Sequence, residues 1–358
     1  MPAGLLHPVL AVDDARLARL VRAGVAMSQA ALERVAPGGL HDSIPVWRRN
    51  GAAQLVDDDE TGSRWGSAIE RQALPPEFIE LCDAAELRDR IGLMPQRGGV
   101  WWPQAITVSP AAWCQALLAA VGVEVTLGAA VHGLRRDERG WHAFDADGRL
   151  VGAAAVAIVA NALDAPSLLQ SAVALQSVPG RLTLIESAVL SELRAPLTGD
   201  GYLLQGLAGE IAIGATYETA LPDDARKAEL SDEQAMAGNL ARLSRLLRDP
   251  PEVKTLSNVA GVRCVARDRL PLAGAAGDEA RAWEQRAILK GAHFDDLPRQ
   301  RDLYGCYALA SRGLTLAPLL GELIAAQIEG EPLPLERDLA EGVDPARFLL
   351  RALRRGRT

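Results

Sequence analysis

Arg312 stands between two apolar runs. The segment ALASRGLTLAPLLGELIAAQI (308–328) reads as the end of a buried strand, a turn at Ser311-Arg312-Gly313, and an apolar helix. A guanidinium there needs an anionic partner or a water-filled cleft, because burying an unpaired charge is strongly unfavourable. The glycine permits close backbone approach. The free N–H groups and positive dipole end of the helix favour a negative charge or a polarised carbonyl above the turn. Arg263 poses the same question in the apolar strand GVRC (261–264). Two half-buried arginines can clamp one carboxylate through bidentate contacts. Each can equally pair with a structural Asp or Glu, and residue type alone leaves both readings open.

Other chemistry is sparse. The five histidines (His7, His41, His132, His142, His293) are dispersed. His132 and His142 fall on neighbouring strands without a third ligand, so no metal site is expected. Neither an acid–base dyad nor a nucleophile triad is visible. Trp101-Trp102, after Gly98-Gly99, could line a cleft, stack on a base or fill a core. Arg347, Arg351, Arg354, Arg355 and Arg357 lie within residues 347–358 with no acid among them. At helical spacing the first four share a face, suited to phosphate contact or to plain solvation.

These residues must be held by mixed elements. Periodic apolar residues from Leu17 to Val35 predict a helix over 13–35, capped at Asp13-Asp14. A short helix is expected near 76–90, and Ser109-Pro110 opens another that runs to about 121. Strands are expected at 123–127, 130–136, 140–146, 154–160, 181–187, 201–206, 210–216, 261–275 and 304–310. Ser231 and Gln234 form a capping box for a helix at 232–248, while 276–302 reads as an exposed loop. The expected class is α/β, with helices and strands mixed in two interleaved domains. One comprises 1–39, 106–175 and 303–358; the other comprises 40–105 and 176–302.

Composition sets limits. The chain has 358 residues, 49% apolar and 23% charged, which excludes a disordered chain, a collagen-like repeat and a disulfide miniprotein. Its 38 basic and 46 acidic residues give a net charge of −8, which excludes a globally basic nucleic-acid binder but not a local patch. The best apolar stretches, 152–163 and 313–328, are too short or are broken by Pro318 and Glu322, so no membrane span is expected. The start MPAGLLHPVLAVDD has neither the basic nor the apolar region of a secretory signal. Cys82, Cys114, Cys264 and Cys306 form no CxxC and read as reduced, buried thiols of a cytoplasmic protein.

GVRCVARDRLPLAGA (261–275) resembles the Gly-x-Arg-Pro-x-x-x-Asp-x-x-Pro-x-x-Gly segment of the FAD-dependent D-amino-acid oxidase and glycine oxidase superfamily. Gly261, Arg263, Asp268, Pro271 and Gly274 stand in its slots. ALASRGLTLAPLLGELIA resembles that superfamily's flavin-contacting turn and helix, and GYLLQG with EIAIGATYE (201–206, 210–218) resembles its substrate-domain hairpin. Within the superfamily, PAGLLHPVLAVDDARLARL, the SRGL turn and the tail EPLPLERDLAEGVDPARFLLRALRRG (331–356) resemble one branch. This is the oxidoreductase half of the bifunctional enzymes that finish 5-methylaminomethyl-2-thiouridine at the tRNA wobble position. Gly4, Leu5, Leu6 and Pro8 continue the family's Ser-Gly-Asn-x-x-Gly start, but the Ser-Gly-Asn is missing. So is the GxGxxG turn ahead of it, the unit that cradles a pyrophosphate. A unit of ~30 residues is therefore expected to be absent, through a late start or loss of the adenine half of the site, and FAD affinity is expected to fall.

The resemblance implies FAD as cofactor. It implies that Arg263, Arg312 and Tyr202 hold the carboxylate of a carboxymethylamino group on the wobble uridine. The carbon between amine and carboxylate would then face the flavin. It places Ala3, Gly4 and Leu5 over the isoalloxazine, Val131 against adenine, and Ala160 and Asn161 at the end of the strand nearest the cofactor. Ser311, Gly313, Leu314 and Thr315 form the flavin-contacting turn and helix start. tRNA would be the partner, touched by the arginine-rich C-terminal segment, with a methyltransferase fused or separate. A small-molecule amine oxidase and a remnant that binds no flavin are the competing readings.

Overall fold

Helix starts follow local chemistry. Ser109 accepts a hydrogen bond from the Ala112 amide at 3.4 Å, Pro110 takes the first helical position, and the helix Pro110–Val121 ends on Gly122 at φ +60°. Ser231 and Gln234 cap reciprocally at 3.2 and 3.0 Å. Their helix stops at Leu240, and a separate turn, Leu243–Leu246, follows. The first long helix is Arg16–Val35, capped by Ala15 rather than by the expected aspartates; Asp14 adopts φ +51° and pairs with Arg22 instead.

The computed structural model describes residues 1–216 and 230–356. Backbone contacts divide it into two units, Met1–Val123 with Val178–Val262, and Glu124–Ser177 with Arg263–Thr358. The sequence had suggested grouping 1–39 and 106–123 with the later segments. Pairing explains the observed grouping: Gly4–Leu6 and Trp47–Arg49 flank Ile106–Val108 in one antiparallel sheet, which ties the N-terminus and residues 106–108 to 47–49.

The first unit is built on an eight-stranded sheet. Its order is Lys254–Ala266, Leu175–Glu186, Ile211–Gly214, Gly201–Gln205, Leu197–Gly199, Ala52–Leu55, Gly99–Trp102, Glu80–Cys82. Leu197–Gly199 and Ala52–Leu55 pair in parallel, with antiparallel neighbours on both sides. Strand alternation gives the sheet two faces. On one, Ala53, Leu55, Leu197, Leu203 and Ile213 pack with Leu87, Ile91, Leu243 and Leu246 into a core. The other carries Gln54, Thr198 and Tyr202, level with one another by register.

The second unit has a sheet of Ala157–Val159, Arg299–Tyr307 and Leu272–Gly277, the first pair parallel and the second antiparallel. A meander of Gly133–Asp137, Gly140–Phe144 and Leu150–Ala154 forms its own sheet and packs on the first through Trp141, whose indole donates to the Arg301 carbonyl at 3.0 Å. The apolar helix Gly313–Glu329 packs on the sheet, and its Gln327 Oε1 accepts from the Ala275 amide at 3.0 Å. That approach requires Gly274, at φ +128°, because a Cβ there would lie 3.0 Å from Gln327 Oε1.

Some expectations are corrected. Residues 123–127 form no strand; the apolar alternation is present, but Val123, Val125 and Leu127 are 53%, 51% and 87% exposed, and no ladder partner lies beside them. The 261–275 strand is two strands, broken where Arg269 takes φ +60° and Asp268 Oδ1 accepts from the Leu270 amide. The 276–302 loop contains the helix Glu279–Glu284 and the start of the strand Arg299–Tyr307. An unforeseen helix, Asp59–Arg71, is capped by Asp58 accepting from the Thr61 amide at 2.7 Å. Among the described residues no helix is long and apolar enough to cross a membrane.

Candidate functional site

In the second unit the chain positions of the two arginines of interest flank one backbone junction. The Ala310 amide donates to the Cys264 carbonyl at 3.1 Å, and Val265 bridges Leu309. Arg263 precedes that junction by one residue. Arg312 follows it by two and caps the helix Gly313–Glu329. Both side chains are half-buried. The turn between strand and helix is strained, since Ala308 and Ala310 hold φ +57° and +51°, a region that alanine rarely occupies. Ser311 is exposed, Gly313 and Leu314 are half-buried, and Thr315 is buried with its amide donating to the Arg312 carbonyl at 3.1 Å.

Ala157–Val159 and Arg299–Tyr307 run parallel, Val159 opposite Gly305, so their carboxyl ends open at the same end of the sheet. Ala160 and Asn161 leave one strand there, and Ala308–Arg312 leaves the other. In open sheets with parallel strands, ligands bind outside such carboxyl ends. Val131 lies elsewhere, in the loop before the separate meander.

In the first unit, Ala3 and Gly4 are buried and Leu5 is half-buried, in a strand paired with Ile106–Val108. Leu5 packs beside Trp102 and Ala52, and Ala3 approaches the hairpin end, where a Cβ on Gly206 would lie 3.7 Å from its own Cβ. Tyr202 is half-buried, opposite Thr198 on one side and Gly214 on the other. The end of the resembling hairpin, 217–218, lies outside the described residues.

Two sequence expectations change here. The tryptophans take opposite faces. Trp101 packs against the core cluster with the Arg90 guanidinium 5.3 Å from its ring centroid, while Trp102 is 1% exposed and edge-on to Phe78. The C-terminal arginines do not form one solvated face. Arg347 is 2% exposed and is held by Asp268 and by the Leu270 and Pro271 carbonyls. Arg351 also donates to Asp268, and Arg354 to the Ala292 carbonyl. Burial raises the Asp268 pKa, but the hydrogen bonds and charge of Arg347, with the Leu270 amide and Arg351, outweigh it and hold the carboxyl below its ordinary range. Arg357 lies outside the described residues. Among the cysteines, Cys114 is exposed rather than buried.

A strained strand-to-helix turn with two arginines, at the carboxyl ends of parallel strands, suits an enzyme that binds an anionic substrate beside a cofactor. The chain belongs to the FAD-dependent oxidoreductase family, whose sequence pattern matches residues 2–327. It is 40% identical over 371 residues to the tRNA 5-methylaminomethyl-2-thiouridine biosynthesis bifunctional protein MnmC of Cupriavidus necator, an alignment covering 99% of this chain and 55% of that protein. The protein of the same name from Paraburkholderia phytofirmans is 39% identical, with 99% and 54% covered. The chain thus spans about half the length of the curated relatives it matches. Its fold is similar to that of glycine oxidase from Geobacillus kaustophilus, with a TM-score of 0.70, 18% identity, and 93% and 85% of the two chains covered. L-proline dehydrogenase from P. horikoshii gives a TM-score of 0.69 at 16% identity, with 96% and 84% covered. The resemblance to FAD-dependent oxidases is borne out in family and in fold.

FAD is the cofactor of this family. The residues present fit its ring end. A Cβ on Gly313 would meet nothing within 4 Å, so the start of a 17-residue helix is open to an electron-rich group. A GxGxxG turn between strand and helix, the usual diphosphate cradle, does not occur among the described residues.

Proposed function

We propose that the chain oxidises the secondary amine of 5-carboxymethylaminomethyl-(2-thio)uridine at the wobble position of tRNA, removing the carboxymethyl group. The observation that carries this reading is the Cys264–Ala310 backbone junction, which brings the chain positions of Arg263 and Arg312 to one end of the sheet beside an open helix start. The names of the relatives at 40% identity support the tRNA substrate.

The chemistry FAD supplies is two-electron: hydride leaves the carbon between amine and carboxylate, and water cleaves the resulting imine to glyoxylate and the primary amine, with oxygen as final acceptor. Arg263 and Arg312 hold the carboxylate through charge-assisted bonds and so fix the carbon that reacts. Tyr202 is the third carboxylate contact. The helix start at Gly313, Leu314 and Thr315, with Ser311 before it, favours negative charge on the reduced ring. Ala3, Gly4, Leu5, Val131, Ala160 and Asn161 are the backbone contacts to the cofactor.

The product amine still lacks the methyl group that the relatives' names require, so a methyltransferase is the partner that acts next. A tRNA substrate places the chain in the cytoplasm. Arg351, Arg354 and Arg355 remain as phosphate contacts of the C-terminal helix, and Arg347 is withdrawn.

The test supplies the purified chain with FAD and measures glyoxylate released from carboxymethylaminomethyl-bearing tRNA, from glycine and from sarcosine. Release from tRNA at far lower substrate concentration is expected. Release from the small amines alone would identify a small-molecule oxidase. A chain that takes up no flavin and releases nothing would be a remnant.

A further inference from the structure

The C-terminal helix Arg347–Arg355 rests on residues 279–297 of the same unit. Leu350 and Leu353 join Leu289 and Ala292 in one apolar cluster, with Trp283 packed against it. The Arg354 guanidinium donates to the Ala292 carbonyl at 2.8 Å, which brings the end of the helix to residue 292. Arg286 and Lys290 lie on that segment and are exposed, as are Arg351, Arg354 and Arg355 on the helix. Arg286 donates to the Trp283 carbonyl at 3.0 Å. The acids nearby are largely engaged. Asp268 meets two guanidiniums, buried Arg347 at 2.7 Å and Arg351 at 3.1 Å, so the trio keeps one surplus positive charge, and its most exposed member is Arg351, at 49%. Asp295 pairs with Arg337 at 3.0 Å, and Asp296 accepts from the His293 amide at 2.8 Å. Glu284 is the other exposed acid of the segment. Two of the cations are also held in place, Arg354 by its carbonyl and Arg351 by Asp268 and by the Phe348 ring, 5.3 Å away. Groups ordered beforehand lose less entropy when a partner arrives.

We propose that Arg286 and Lys290, with Arg351, Arg354 and Arg355, form one docking face for the phosphate backbone of RNA, made of two segments joined by the apolar cluster beneath. This rests on the reading of a tRNA substrate and extends it from the last helix to residues 279–297. A chain of net charge −8 repels a polyanion, so an RNA needs a local concentration of cations on which to land. Guanidiniums suit phosphate because the planar fork gives two bonds to one anion. Such contacts hold and orient the RNA without reading its sequence, and base recognition falls to other residues.

The test is fluorescence anisotropy on the full chain with a labelled anticodon stem-loop carrying an unmodified wobble uridine, titrated at several salt concentrations. For wild type, the logarithm of the binding constant should fall linearly with the logarithm of salt, by about 0.7–0.9 per phosphate contact. The double variant Arg286→Gln, Lys290→Gln should reduce that slope by about 1.5 and weaken binding roughly tenfold at low salt. Arg355→Gln should take away about 0.8 more. Melting temperatures check that each variant is folded. Arg149→Gln, at a 78% exposed arginine in a turn of the meander, should leave the slope as it is. A double variant with the wild-type slope, an equal loss from Arg149→Gln, or a wild-type chain that binds phosphatidylglycerol vesicles or nothing in place of the stem-loop would overturn the proposal. Slope losses as expected, with no glyoxylate released from tRNA, would remove the proposed reaction and leave the docking face standing. Glyoxylate released from tRNA by a chain whose slope ignores these residues would do the reverse.

Discussion

Arg347 and Asp268 form a bidentate ion pair, Nε to Oδ2 at 3.0 Å and Nη2 to Oδ1 at 2.7 Å, although 79 residues separate them in the chain. The Leu270 and Pro271 carbonyls accept at 2.9 Å each and the Asp344 carbonyl at 3.3 Å, so all five donors of the buried guanidinium are used. The Phe348 ring lies 4.7 Å from its centre. The C-terminal helix is thereby locked onto the turn that links the two strands of the 261–275 segment.

Asp268→Asn should therefore be severely destabilising. Removing the carboxylate leaves Arg347 charged and buried, a change that typically costs about 3–5 kcal/mol. Thermal melts at neutral pH check it. The effect also has a pH signature. A carboxyl whose folded pKa is depressed contributes fully above its unfolded value, ~3.9, and loses that contribution as pH falls through the lower folded value. The gap in Tm between wild type and Asp268→Asn should be flat at neutral and mildly acidic pH and should close below about pH 4. A gap that stays constant into strong acid would show that the pair is not what stabilises the helix.

Arg263→Lys and Arg312→Lys keep the charge and lose the fork. Each is expected to raise KM for the carboxylate-bearing substrate by roughly tenfold, the loss of about 1.5 kcal/mol of charge-assisted bonding. Because both are proposed to hold one carboxylate, the double variant should lose less than the product of the single effects. Steady-state glyoxylate release measures all three. Strictly multiplicative losses would mean that the arginines serve different ligands.

Gly313→Ala meets open space, and alanine is the better helix former by about 0.5–1 kcal/mol. Melting temperature should hold or rise. Flavin affinity, followed by quenching of flavin fluorescence, should fall, because the added methyl occupies the approach to the helix start. Unchanged flavin binding would take this turn out of the cofactor site.

Thiol reactivity offers an independent check on the packing. Cys114 is exposed, whereas burial pushes the Cys82 and Cys306 thiols up to about 11 and raises Cys264 as well. A thiol reagent near pH 8 should modify Cys114 rapidly and the other three only after unfolding. Counting modified thiols by mass spectrometry tests it.

Sequence revealed what short-range chemistry controls. Ser109-Pro110 and Ser231 with Gln234 start helices where their side chains say they should, because a cap acts within three residues. The apolar run from Gly313 to Glu329 and the turn before it were equally plain. What failed depended on distant partners. Residues 123–127 have a strand's alternation but no neighbouring strand, and alternation alone makes no ladder. Arg347 looked solvated because Asp268, which buries it, is remote in sequence. The row of Gln54, Thr198 and Tyr202 gave no signal either, since it exists only after a parallel pairing brings Ala52–Leu55 beside Leu197–Gly199. The family resemblance supplied Arg263, Arg312 and Tyr202, whereas their individual roles await the experiments above.

The long reach of the Asp268–Arg347 contact also imposes an order on biosynthesis. Asp268 emerges from the ribosome 79 residues before the arginine that neutralises it, so this contact closes only once the helix Arg347–Arg355 has been made. Sealing of the second unit is then a late event of maturation, and a nascent chain paused short of that helix is the species a chaperone or protease would meet.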